Sequence, residues 1–182
     1  MKAKSSRTFV SIFTILLLVF VPFSTITHQA LATSSTGVII PLYTYPTDGS
    51  FDAVINAKNA HPSVPIIAVI NPNDGPGSSS DSNFVTGIQH LQSAGITVLG
   101  YAATGYGSKS TSNIESQINS YKNWYHVNGI LFDEMANTAG FETYYSNLSA
   151  YAKSLGMTIT AGNPGTDTLS SYVGTVDILC IY

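Results

Sequence analysis

The chain has few of the residues that crosslink proteins or coordinate metals. It contains one cysteine, Cys180, so it has no internal disulfide framework and no cysteine-based zinc site. In its apolar surroundings we predict that Cys180 packs as a small buried hydrophobe. The four histidines are widely spaced and show no H-x-x-x-H pattern. The sequence therefore predicts neither a metal site nor a cofactor.

Charged residues are also scarce, at 9% of the chain, and the basic ones are unevenly distributed. Residues 33–182 contain four lysines, no arginine and all ten acids, a net charge of about −6. Nucleic-acid-binding proteins normally carry a basic surface, so nucleic acid is not an expected partner. Without arginine, the segment also lacks the side chain that clamps phosphates and carboxylates with two bonds. A surface of Ser, Thr, Asn, Gly and Tyr instead suits neutral, hydroxyl-rich ligands.

Residues 1–32 have the three parts of a secretory signal peptide. These are a basic leader with Lys2, Lys4 and Arg7, an apolar stretch over 9–23, and the A-x-A cleavage signal at 30–32. We expect cleavage after Ala32 and a mature chain that begins at Thr33, is secreted, stays out of the membrane and is a monomer. The alternative is a retained N-terminal anchor, although the apolar stretch is short for a membrane span of about 20 residues.

The rest of the chain alternates between short apolar runs and amphipathic segments. Six runs are typical of buried strands: residues 38–42, 64–70, 97–101, 127–132, 157–161 and 177–182. The predicted helices cover residues 51–60, a stretch from Asp81 or Ser82 to Gly95, residues 112–125 with a capping box at 112–115, and residues 142–155. A short helical turn is predicted at 169–173. Strands alternating with helices at such intervals indicate βαβ units and a parallel sheet, hence an α/β fold.

Two α/β architectures fit this pattern, a (β/α)8 TIM-type barrel and an open doubly wound sheet. Residues 43–49, after the first strand, lack the G-x-G-x-x-G fingerprint that is usual in open sheets. Polar or aromatic residues follow each of the first five strands, which is how a barrel assembles a site from several loops. We therefore predict a partial barrel over residues 33–182, truncated after about six of eight strands. A compact open sheet of five or six strands is the alternative.

Residues 129–135 are the most informative segment, because an apolar run ends there in two adjacent carboxylates, Asp133 and Glu134. Acidic side chains at the carboxyl end of a parallel strand lie on the face where α/β folds bind ligands. Buried without partners, they would be strongly destabilising. The alternative is that Asp133 caps a helix and Glu134 favours its first turn. The strand-end position favours a functional pair.

With these motifs the chain resembles the spherulation-specific family 4 (spherulin-4-like) proteins over residues 38–182. Five blocks in the same order carry the resemblance: IPLY at 40–43, VINPNDGPG at 69–77, GY at 100–101, GILFDE at 129–134 and GNPGTD at 162–167. The family is similar to secreted (β/α)8 glycoside hydrolases. Relatives cut α-1,4-linked galactosamine or N-acetylgalactosamine in microbial exopolysaccharide. The resemblance therefore implies an endo-acting glycoside hydrolase with a polysaccharide substrate.

By this resemblance Asp133 and Glu134 are the catalytic acids, and a further acidic residue is expected after later strands. Of the acids beyond the fifth strand, Asp167 lies in a loop that could approach the site, and Asp177 starts a strand at the opposite end. Four residues are expected to hold sugar hydroxyls, with turn or packing roles as the alternative: Tyr43, Asn71, Tyr101 and Asn163. The rival to an enzyme is a non-catalytic secreted protein that binds polysaccharide or coats the cell.

Overall fold

Six parallel strands form one sheet in a computed structural model that describes residues 36–181. The strands are β1 (Val38–Leu42), β2 (Ile66–Ile70), β3 (Thr97–Ala103), β4 (Gly129–Asp133), β5 (Ile159–Gly162) and β6 (Ile178–Leu179). The predicted signal peptide, its cleavage site and Tyr182 lie outside the described residues.

A helix or helical turn lies in each connection between neighbouring strands. The helices are α1 (Ser50–Ala60), α2 (Ser82–Ser93), α3 (Thr111–Ser120) and α4 (Glu142–Ser154). The helix α3 continues into a π-helical turn at Tyr121–Tyr125, and a 3₁₀ turn at Ser170–Tyr172 precedes β6. Within residues 36–181, no helix is both long enough and apolar enough to cross a bilayer.

The order of the strands distinguishes between the two predicted architectures. Each strand pairs in parallel with the next strand along the chain, from β1 to β6. A doubly wound sheet reverses its strand order at a switch point, whereas a TIM-type barrel keeps the order of the chain. The predicted (β/α) barrel fold is therefore confirmed, here with six strands, and the open doubly wound alternative is wrong.

Both faces of the sheet are buried, which explains why its strands have continuous apolar sequences. The larger apolar cluster lies between the sheet and the helices and includes Ile88, Ile118 and Leu148. A smaller cluster on the other face is formed by Val69, Leu99, Tyr101, Ala103, Leu131 and Ala161. This second cluster is the barrel interior. The residues of the candidate site described below lie where its strands end.

The boundaries of several elements differ from those predicted. The capping box at 112–115 is wrong, because the N-cap of α3 is Ser110, two residues before the predicted cap, with Oγ accepting from the amide of Asn113 at 3.3 Å. The strands β2, β4 and β5 each begin two residues later than predicted. Val127 and Met157, which precede β4 and β5, are buried against the helices before strand pairing begins. Asp81 does cap α2, as one of the two predicted caps.

Candidate active site

The backbone turns sharply at the carboxyl end of β4. Asp133 is the last residue of the strand, and Glu134 adopts a left-handed conformation with φ of 49°. Non-glycine residues rarely adopt this conformation. No helix begins here, because α4 starts at Glu142. The alternative interpretation of the acidic pair as a helix start is therefore wrong.

The turn brings both carboxylates to one recess. In a regular strand, adjacent side chains point to opposite faces. Here the two acids line the same open recess of about 220 Å³, together with Tyr106, Asn163, Pro164 and Gly165. This recess lies above the barrel interior, between the loops that follow β3, β4 and β5.

Asn163, at the end of β5, positions the carboxylate of Asp133. Its Nδ2 donates to Oδ1 of Asp133 at 2.8 Å, and its own Oδ1 accepts from the amide of Gly165 at 3.0 Å. The two contacts fix the orientation of the amide side chain between the strand and the following turn. Asn163, one of the expected sugar ligands, therefore lies in the recess and directly contacts the acid.

Two tyrosines adjoin Asp133 from the first and third strands. The rings of Tyr43 and Tyr101 pack edge to face with centroids 5.4 Å apart. Burial raises the pKa of Tyr43 to about 12, and the negative charge of Asp133 adds to the shift. Burial also raises the pKa of Tyr101, and the nearby carboxylate of Asp133 adds to the shift. Both phenols therefore stay protonated near neutral pH, where they can donate hydrogen bonds.

Among the residues that the structure describes, one donates a hydrogen bond to the carboxylate of Glu134: the amide of Gly105, to Oε2 at 3.2 Å. The backbone carbonyl of Glu134 is held more firmly. That carbonyl accepts from the amide of Tyr106 at 2.7 Å and from Oγ1 of Thr104 at 2.7 Å. The loop after β3 thus fixes the backbone of Glu134 and leaves most of its carboxylate free to meet a ligand.

A buried chain of hydrogen bonds supports this turn from below. The amide of Ala136 donates to the hydroxyl of Tyr145 at 2.7 Å, and that hydroxyl lies 2.9 Å from Oγ1 of Thr104. Thr104 in turn donates to the carbonyl of Glu134. Thr104 and Tyr145 are fully buried. This arrangement ties α4, β3 and the end of β4 together.

The remaining predicted residues lie away from the recess. The side chain of Asn71 accepts from the amide of Gly75 at 2.8 Å, so it closes the loop that follows β2. Asp167 is exposed and its carbonyl accepts from Asn137 at 3.4 Å. Asp177, at the opposite end of the sheet, forms an ion pair with Lys153 at 2.6 Å.

Sequence reasoning missed the roles of three residues at the site: Thr104, Tyr106 and Cys180. Cys180 is only partly buried, and the negative charge of Asp133 adds to the effect of burial in raising the pKa of its thiol. The sequence feature that could have indicated its place at the site is the position of Cys180 just after the sixth strand, at the same end as Asp133. Within residues 36–181, no group of three or more His, Cys, Asp and Glu side chains is placed to hold a metal ion.

Known proteins are similar to this chain in sequence and fold. The model of the family described as spherulation-specific family 4 matches residues 37–182. Spherulin-4 from Physarum polycephalum is 34% identical over 173 residues, which cover 93% of this chain and 51% of that protein. The crystal structure of Aspergillus clavatus Sph3 in complex with GalNAc matches with a TM-score of 0.75 and 30% identity, over 81% of this chain and 65% of that chain. The chain thus spans about half the length of the curated relative it matches.

Proposed function

This chain belongs to the spherulation-specific family 4, and on that premise we propose that it is a secreted, endo-acting glycoside hydrolase. The proposed substrate is exopolysaccharide with α-1,4-linked galactosamine or N-acetylgalactosamine. The observation that carries the proposal is the convergence of Asp133 and Glu134 on one recess at the carboxyl end of β4. The similar Sph3 structure contains GalNAc, which supports an amino sugar as the ligand.

The surroundings of the two acids favour different tasks. Glycoside hydrolysis uses carboxyl groups to protonate the leaving oxygen and to stabilise an oxocarbenium-like transition state. Within residues 36–181 the carboxylate of Glu134 accepts one hydrogen bond, so it is free to exchange a proton with the glycosidic oxygen. Asp133 is held by Asn163 and adjoins Tyr101, so its fixed negative charge suits the positive charge that develops on the sugar ring.

A second candidate function is sugar binding without cleavage. Two carboxylates normally flank the scissile bond, at separations of about 5 to 10 Å. Within the described residues, the acids that line the recess are adjacent in sequence, and Asp167 and Asp177 do not line it. This observation favours a non-catalytic polysaccharide-binding or coat protein, unless a further carboxylate completes the site.

Reducing-end release from galactosamine-containing exopolysaccharide by the full-length polypeptide tests the enzyme proposal. Asp133→Asn and Glu134→Gln nearly preserve shape and remove the charge and proton transfer. We expect each to lower the rate by roughly 10²–10⁴-fold, the range for loss of a general acid or base. Asp167→Asn is the matched control and should retain the wild-type rate.

The outcomes separate the two functions. A wild-type protein that binds the polysaccharide but releases no reducing ends supports the binding protein and rejects the hydrolase. Undiminished release by both carboxylate variants would instead show that the acids are structural.

Secretion is part of the same proposal. The basic leader, apolar stretch and A-x-A signal of residues 1–32 support export with cleavage after Ala32. N-terminal sequencing of protein from the culture medium should begin at Thr33. Recovery of intact Met1 in a membrane fraction would replace secretion with the anchored form.

A further inference from the structure

A second polar recess lies beside the active site, on the loop between β2 and α2. We call it the outer groove. It encloses about 490 Å³, and its lining includes Tyr45, Asn73, Ser78, Ser80 and Asn83. None of the lysines among the described residues lines it, and Asp81 is the only acid that does. The lining is therefore rich in hydroxyl and amide groups.

Tyr45 is the exposed aromatic residue of the outer groove, with 45% of its surface accessible. Its hydroxyl donates to Oδ2 of Asp81 at 3.0 Å and accepts from Nδ2 of Asn83 at 2.8 Å. Its ring packs edge to face on Phe84, with centroids 5.6 Å apart. These contacts fix the orientation of a ring that is nonetheless accessible. A pre-oriented ring binds a ligand with little loss of side-chain entropy.

The loop that forms the other wall is also fixed from within the protein. The hydroxyl of the buried Tyr125 donates to the carbonyl of Pro76 at 3.2 Å and accepts from the amide of Asp81 at 3.2 Å. Asn71 holds the start of the same loop through Gly75. The groove is therefore preformed, and its serines at 78–80 are exposed on an anchored backbone.

The outer groove is close to the active site along two segments. Tyr45 is two residues after Tyr43, which packs on Tyr101, and an extended chain advances at most about 3.6 Å per residue. The Cα atoms of Tyr43 and Tyr45 are thus within about 7 Å of each other. On the opposite wall, Asn73 lines the groove. The negative charge of the adjacent Asp74 contributes to raising the pKa of Tyr101.

We propose that the outer groove binds a further sugar residue of the same polysaccharide, with Tyr45 as the ring on which its apolar face stacks. This inference rests on the proposed function and assigns a second subsite to it. The carboxylate of Asp81 already accepts from Tyr45 and from the amide of Asn83 at 2.8 Å. Each of its oxygens already accepts a hydrogen bond within the protein, so the hydroxyls and amides around it are the groups offered to a hydroxylated sugar.

Affinity for oligosaccharides of different length tests this subsite. The probes are α-1,4-linked N-acetylgalactosamine disaccharide and hexasaccharide, titrated calorimetrically into the full-length Glu134→Gln protein. We expect the hexasaccharide to bind at least about tenfold more tightly than the disaccharide, because it alone reaches the outer groove. Adding Tyr45→Ala should remove most of this preference. Adding Ser80→Trp, which fills the groove and leaves Tyr45 in place, should do the same.

Adding Tyr45→Phe separates the ring from its hydroxyl and should keep most of the preference. The inference is overturned if the preference survives both Tyr45→Ala and Ser80→Trp, or if the two probes bind equally to the Glu134→Gln protein. A general folding defect would weaken both probes alike and lower the melting temperature. Turnover of the hexasaccharide by the wild-type protein is measured separately, so failure of hydrolysis does not affect the binding result.

Discussion

Glu134 combines a carboxylate of the proposed active site with a backbone conformation that most side chains disfavour. Its φ of 49° is held by the amide of Tyr106 and by Thr104, which both donate to its carbonyl. Residues in this region store roughly 1–3 kcal/mol of strain, which surrounding contacts must offset. Such strain is often found at functional sites, because it aims a side chain where regular structure cannot.

The strain at Glu134 predicts an unusual order of stability among its variants. Asn tolerates the left-handed region better than Gln does. We expect Glu134→Asn to be more stable than Glu134→Gln. Its free energy of unfolding, measured by chemical denaturation, should be roughly 0.5–1 kcal/mol higher. The matched control is Glu115, within α3, where Gln should be the more stable because of its higher helix propensity. Equal stability of the two Glu134 variants would contradict a strained backbone conformation at this residue.

At the scale of elements, the buried hydroxyl chain joins the loops on which the two acids lie. Thr104→Val keeps the shape of the side chain but leaves the hydroxyl of Tyr145 without one of its two partners. A buried unsatisfied group costs roughly 1–3 kcal/mol, so we expect a loss of stability in that range. Because the carbonyl of Glu134 also loses a donor, activity should fall as well.

Ser149 provides a matched control for Thr104. Its buried hydroxyl lies 2.8 Å from Oγ1 of Thr160, between α4 and β5 and away from the recess. Ser149→Ala should lower stability without changing kcat/KM. If both variants lose stability and neither loses activity, the hydroxyl chain supports the fold only.

The start of β4 requires a glycine because its neighbour approaches so closely. A Cβ on Gly129 would overlap the backbone carbonyl of Ile159 in β5. Gly129→Ala therefore separates the two strands whose ends carry Asp133 and Asn163, and we expect the free energy of unfolding to fall by roughly 1–3 kcal/mol in thermal or chemical unfolding. Gly140→Ala is the control, because its φ of 110° introduces strain while no atom lies within 4 Å of the added Cβ.

Local sequence patterns predicted the elements better than their ends or their mutual contacts. Apolar runs identified all six strands, because both faces of the sheet are buried. The same apolar signal extended β4 and β5 too far, since Val127 and Met157 pack under helices rather than in the sheet. The acidic pair was visible as the end of a run. Its bonds to Asn163 and Gly105 were not, because they depend on the register of strands that are distant in sequence.

At the scale of the whole molecule, the two ends of the sheet have different chemistry. The carboxyl end carries both recesses and the partly exposed tyrosines Tyr43 and Tyr45. At the amino end, Lys153 pairs with Asp177, and Lys58 donates to the carbonyls of Pro62 and Val64 at 2.9 Å each. In barrels, one end holds the site and the other serves stability. Two of the four lysines here are used at the stabilising end.

The abundance of buried tyrosine predicts how the molecule responds to alkaline pH. Partial or complete burial raises the pKa of seven tyrosines among the described residues: Tyr43, Tyr101, Tyr121, Tyr125, Tyr144, Tyr145 and Tyr172. In the unfolded chain these phenols ionise near pH 10. The folded state binds more protons above that pH, so the stability is fully present below pH 10 and is lost as the pH rises towards the folded pKa values.

Each tyrosine that keeps its proton only in the folded state contributes a slope of about 1.4 kcal/mol per pH unit. We expect the free energy of unfolding to fall steeply above about pH 10, together with a cooperative rise in phenolate absorbance. Tyr121→Phe should make this slope shallower by about 1.4 kcal/mol per pH unit, the contribution of one proton, because Tyr121 is fully buried. Tyr106→Phe, at a side chain that is 60% exposed, is the matched control. If the free energy of unfolding fell with pH equally steeply in the wild type and in Tyr121→Phe, the buried phenols would not cause the loss of stability at alkaline pH. The proton released on unfolding would then come from another group in the molecule.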